Sequence, residues 1–150
     1  MREVRAAARL LKLLAEPDDD SAGGLPDDPA EGSLIGERQE LVRRARESFR
    51  DRRRRRGIFG DFMFGEPAWD MLLALYISET SEGRNSVGSL ASLSGAPAST
   101  AQRWLEVLID RGLALREAHP TDRRTVFIKL TDDGRAALDL YFSGTQPSTP

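Results

Sequence analysis

The sequence has no cysteine and a single histidine. The first absence excludes disulfides, thiolate metal sites and thiol-based oxidant sensing. The second leaves His119 as the sole imidazole, followed by Pro120 in a turn-rich segment, where a solvated or phosphate-contacting ring is expected rather than a general base. No apolar run approaches the ~20 residues of a membrane span. The Ala/Leu-rich start is broken by Arg9 and Lys12, which makes it a poor signal peptide. A cytoplasmic protein with no membrane partner is expected. Also missing are an HExxH pair, a nucleophile elbow, a phosphate-binding Gly loop and paired metal-ligand motifs. No enzyme activity, cofactor or metal site is therefore expected, and Asp18-Asp19-Asp20 reads as a solvated acidic run without the further ligands a cation needs.

Net charge is only −2 over 150 residues, but the charge is unevenly placed. Residues 1–33 hold four Lys/Arg against eight Asp/Glu, whereas residues 34–56 hold ten Arg against four acids. Basic charge is concentrated rather than absent, and a local patch is what attraction to phosphates requires.

The most informative stretch runs from Ser86 to Thr131. Ser89 to Leu93 is a short apolar-periodic run stopped by Gly95, and Pro97 sits where a second helix would begin. Ala101, Trp104, Leu105 and Leu108 recur at helical spacing and are expected to pack inward. Ser99, Thr100, Gln102, Arg103 and Glu106 occupy the other face. After Arg111-Gly112, Leu113 and Leu115 and then Val126, Ile128 and Leu130 alternate with their neighbours at the two-residue period of half-buried strands. Between the strands lies a turn-rich tip, His119 to Arg124, with paired guanidinium groups. Two helices, a tight turn and a basic hairpin suit a duplex: the second helix, about 97–111, fits the major groove, and a wing of 116–127 reaches the backbone or minor groove.

Leu90 to Gly95 through Leu113, with Asp122, Arg124, Leu130, Thr131, Asp132, Asp133, Gly134 and Arg135, resembles the winged helix-turn-helix core of the MarR family of bacterial transcription regulators. The resemblance covers roughly residues 66–142. It implies a mainly α fold with a small β-wing, a winged helix-turn-helix domain preceded by an N-terminal helical extension, double-stranded DNA as partner and a homodimer. It also matches Arg124 to the family's wing arginine, with Asp122 orienting an arginine. The expected DNA-binding residues are Ser99, Thr100, Gln102, Arg103, Arg123 and Arg124. The family's long C-terminal helix, which helps to build its dimer and effector pocket, is cut to about three turns here.

Upstream, residues 1–16 read as an amphipathic helix that docks on its own domain or a second subunit, and 17–33 as an acidic flexible linker. Ser33 is expected to cap a long helix to about Arg56, with Leu34, Arg38, Leu41, Val42, Ala45 and Phe49 on one seam. Arg52 to Arg56 form a basic run suited either to DNA backbone or to solvent. Gly57 to Gly65, rich in phenylalanine, should pack between that helix and the domain, so that 34–65 combines a long basic helix and an apolar connector. Glu66-Pro67 opens the next helix, with Trp69, Leu72, Leu73, Tyr76 and Ile77 inward, and residues 143–150 form a disordered tail. Residues 1–16 and 34–56 would supply the dimer interface. The competing expectation is a winged-helix module that binds a protein and not DNA.

Overall fold

Apolar periodicity gives the order of elements. In a computed structural model, residues 29–60, 63–81 and 83–144 are described. Helix α1 (Pro29–Phe59) is followed by α2 (Pro67–Ser78), α3 (Val87–Ser94), α4 (Ala98–Asp110), strands β1 (Ala114–Ala118) and β2 (Val126–Leu130), and helix α5 (Asp132–Ser143). The protein is mainly helical with one small antiparallel sheet.

Helix α2 lies at the centre because it is apolar almost all round. Met71, Leu73, Ala74, Leu75, Tyr76 and Ile77 are all buried, and the helix packs on α1, α3, α4 and β2. Helix α1 crosses it antiparallel: Arg38 reaches Glu79 beyond the C-terminal end of α2, while Arg52 reaches Asp70 near its N-terminal end. Val42, Ala45, Phe49 and Arg52, spaced three or four apart, form the buried stripe of α1.

Asp70 is buried and accepts from two arginines, Arg52 Nε at 2.7 Å and Arg56 Nη1 at 3.1 Å. Arg52 also donates to Glu66. Burial disfavours the Arg52 cation, but these carboxylates outweigh it and raise its pKa above the ordinary guanidinium value. At the other end of α2, Glu79 is shared by Arg38 of α1, at 2.9 Å, and Arg135 of α5, at 2.8 Å. Asp139 accepts from Arg38 at 2.6 Å and from the Tyr76 hydroxyl at 2.5 Å. Burial, then the bond to Asp139, push the Tyr76 phenol well above its usual range.

The helix-turn-helix unit is set by local chemistry. Ser86 and Ser89 cap the start of α3 reciprocally, each side chain accepting from the other's backbone N–H at 3.0 and 2.9 Å. Gly95 ends the helix at φ 65°, a left-handed conformation that favours glycine. Strand pairing follows, with Ala114 opposite Leu130 and Ala118 opposite Val126. Ile128 N donates to Asn85 O at 2.8 Å, adding a one-residue third strand.

Several expectations are corrected. Helix α1 begins at Pro29, not after Ser33, so residues 29–33 of the expected linker are helical. Pro29 is itself a first-turn residue, a start signal that competes with the serine cap. Leu34 is 65% exposed: the first turns of α1 extend past the surface that α2 and α5 cover. The described residues of the 57–65 segment do not pack inward either. Gly57 to Phe59 prolong α1 beyond α2, and Ile58, Phe59, Met63 and Phe64 are exposed. Trp104 is 41% exposed. It lies about 60° from Ala101 around a helix of 3.6 residues per turn, on the side away from Leu105. In β1 the buried residue is Ala114 and not Leu115, because the strand starts only after the turn at Gly112 and Leu113; Leu113 itself, ahead of the strand, packs partly buried against the core. Val126, placed with Ile128 and Leu130, is exposed near the hairpin tip. Residues 1–16, most of 17–33 and the tail from 145 lie outside the described residues.

Candidate nucleic-acid interface

Ala101, Leu105 and Leu108 bury one face of α4 and thereby turn Ser99 and Arg103 outward, with Thr100 and Gln102 half-exposed at the flanks. Ser99 and Thr100 stand in the first turn, where free backbone N–H groups and the helix dipole favour an anion. Arg103 follows one turn later with no ion pair among the described residues. Gln102 is already engaged: its Nε2 donates to Glu106 at 2.7 Å. Glu106 also accepts from Arg116 of β1, which ties α4 to the wing. The bond from Arg116, then that from Gln102, hold the Glu106 carboxyl below its usual range.

The wing tip is held by two side chains. His119 Nδ1 accepts from the backbone N–H groups of Thr121 and Asp122, both at 3.1 Å, which assigns the ring proton of neutral His119 to Nε2. The ring is half-buried against Phe127, 5.4 Å between centroids, so His119 shapes the turn and is not the fully solvated ring that is one of the two expectations for it. Asp122 accepts from Arg124 N at 3.0 Å and from the Thr125 hydroxyl at 2.8 Å, orienting Arg124 through its backbone. Arg123 and Arg124 are exposed.

The rest of the motif builds the root of the wing. Leu130 is buried. Thr131 caps α5 by accepting from Gly134 N at 2.9 Å, and its hydroxyl donates to Gly112 O at 2.5 Å. A Cβ on Gly134 would stand 2.1 Å from the Leu113 carbonyl oxygen, so only glycine fits. Asp132 and Asp133 lie in the first turn of α5, favourably placed against its positive end. Arg135 pairs with Glu79 and Asp132; its pKa is raised, chiefly by the bonds to Glu79. Of this whole motif, Arg124 is the exposed cation, placed at the hairpin tip.

Sequence reasoning placed Ser99, Thr100, Gln102 and Arg103 on one helix and Arg123 and Arg124 on the hairpin, and the fold brings the two groups onto adjoining elements. It missed Arg116, whose link to Glu106 could have been suspected only from knowing the strand register. Among the described residues no cluster of three or more His, Asp or Glu could hold a metal ion. No described helix is long and apolar enough to cross a membrane.

No family model matches the chain, and no curated protein matches it. Solved structures do. A probable transcriptional regulator from Pseudomonas aeruginosa is 24% identical, with 79% of each chain covered and a TM-score of 0.43. A MarR family transcriptional regulator from Silicibacter pomeroyi is 20% identical, with 90% of this chain and 87% of that one covered and a TM-score of 0.43. The transcriptional repressor CouR, solved bound to a 23-mer DNA duplex, is 22% identical, with 87% and 81% covered and a TM-score of 0.42. Solved MarR family transcriptional regulators are thus among the proteins to which this chain is similar.

Proposed function

We propose that the protein is a sequence-specific duplex-DNA-binding regulator of transcription. Helix α4 enters the major groove, and the wing, residues 116–127, lies on the backbone or minor groove. The observation that carries this reading is the division of α4 into a buried face and an outward face bearing Ser99 and Arg103, beside a hairpin whose tip presents Arg123 and Arg124. Arginine recognises guanine edges and phosphates through paired donors. In this arrangement Ser99 and Thr100 meet phosphate or base edges, Gln102 and Arg103 read bases, and the wing arginines hold the backbone.

A second copy of the chain is the other partner. Leu34 and Ile35 expose apolar surface on the first turns of α1, and α5 ends after 12 residues, which leaves residues 34–56, with 1–16, as the material for a dimer interface. Two recognition helices one helical turn apart would then read two half-sites.

One feature favours a second reading, a winged-helix module for a protein partner: Trp104 and Val107, both 41% exposed, add apolar surface to α4. Salt separates the two, since phosphate contacts weaken steeply as salt rises and an apolar interface does not. Electrophoretic shift on fragments of the upstream region at two salt concentrations, with light scattering, tests both. A dimer retaining one fragment over competitor DNA supports the regulator; a folded protein that shifts nothing at low salt refutes it.

A further inference from the structure

The basic run at the end of α1 is not used by the interface described above. Its five arginines have two fates. Arg52 and Arg56, four residues apart, point at α2 and are paired with Asp70, their side chains 6% and 11% exposed. Pinning those two against α2 leaves Arg53, Arg54 and Arg55 around the outer side of the same turn, and all three are exposed.

Where this turn sits decides what it can touch. A Cβ on Gly95 would fall 1.7 Å from Arg56 Nη2, so the Arg56 guanidinium lies in the turn between α3 and α4. Gly95 precedes Ala98, the first residue of α4, by three positions. The end of α1 is therefore fastened beside the start of the helix assigned to the groove, where a bound duplex brings its backbone past the protein.

Electrostatics select the occupant. The two inward cations are offset by Asp70 and Glu66, while the three outward ones have Asp51 as the acid within their own turn. Arg53 lies over the Phe49 ring, 5.8 Å from its centroid, which restrains its stem. A duplex offers one negative charge per ~1.7 Å of axis, and planar guanidinium groups fit phosphate oxygens in pairs.

We infer that Arg53, Arg54 and Arg55 form a second phosphate-contacting surface for duplex DNA, flanking the groove entered by α4. This rests on the DNA-binding reading above. It extends the contact from the winged unit onto the long helix, and it adds affinity without sequence preference.

The test uses the full chain and a labelled duplex of mixed sequence, about three helical turns long, titrated by fluorescence anisotropy over a range of salt. Replacing the three arginines together with Gln should lower the slope of log affinity against log salt by about two to three units, since each phosphate contact contributes about 0.9. Replacing them with Lys keeps the charges and should keep most of the slope. An unchanged slope in the Gln variant, with wild-type protein binding normally, overturns this inference alone. A Lys variant whose salt slope falls as far as that of the Gln variant also overturns it, because the slope would then not follow the charges that contact phosphate. Wild-type protein that fails to bind at low salt overturns the functional reading together with this one.

Discussion

Replacing Asp70 with Asn keeps the size of the side chain and removes the charge that Arg52 and Arg56 share. Two charge-assisted hydrogen bonds are at stake, at 2.7 and 3.1 Å, each worth about 1.5–3 kcal/mol. The new amide would also direct donors at one of two guanidinium groups that can only donate. Glu66 stays beside Arg52, but its side chain is 66% exposed and screened by solvent, so it compensates little. Removing one partner of a buried ion pair costs about 3–5 kcal/mol, and that is the loss expected for Asp70→Asn in urea unfolding at neutral pH. Against a total stability of about 5–15 kcal/mol for a domain, the variant should melt far below wild type. Arg52→Met alone should also be costly, but the double variant should lose clearly less than the sum, because the second change removes a cation already stranded. A loss below about 1 kcal/mol, or strict additivity, would refute the claim that this cluster holds α1 to α2.

Gly134→Ala should cost about 1–3 kcal/mol by overpacking, since its Cβ meets a backbone carbonyl that cannot turn away; a thermal melt within a degree of wild type contradicts the close approach. Thr131→Ala removes the α5 cap and should cost about 1 kcal/mol, measured by denaturant midpoint, with no change expected if the Gly134 N–H finds water instead. Arg103→Ala should cost about 1–3 kcal/mol of DNA affinity and relax discrimination if it reads a guanine, whereas Arg124→Ala should weaken all sequences evenly; equal losses for Arg103 across sequences exclude base reading. Hydrogen bonds from Arg43 and then Arg44 lower the Glu40 carboxyl from 4.5 to about 2. A folded value below the unfolded one gives stability that is present above pH 4.5 and lost as pH falls towards 2. Glu40→Gln should flatten that part of a stability–pH curve, and an identical acid arm would show that these exposed pairs contribute nothing.

The winged unit was legible because its determinants are local. Gly95 stops one helix, Thr131 starts another, and the alternation around Ile128 needs no knowledge of distant residues. Trp104 was misjudged for a geometric reason: a face defined by i, i+3 and i+4 is wider than the arc a neighbouring helix covers, and its edge stays wet. The 57–65 segment failed differently, since composition says that phenylalanines gain from burial but not whether anything lies above them. The arginines were the least legible of all. Arg52 and Arg53 are neighbours in one run, yet one is buried on Asp70 and the other exposed, and only the phase of α1 relative to α2 decides which.

Glu79 has a mechanical consequence. It is the joint at which three members meet: the long rod of α1 through Arg38, the central α2 at its C-terminal end, and α5 through Arg135. Because α5 starts at the wing root, where Thr131 bonds the Gly112 and Leu113 carbonyls and Gly134 lies against Leu113, a force that levers the rod is delivered to the base of the hairpin along a path of three side chains. Cutting the joint with Glu79→Gln would remove the shared carboxylate and leave the rod tied to α5 by Arg38 on Asp139 and by Arg44 on the Phe142 carbonyl, so the coupling should weaken rather than vanish.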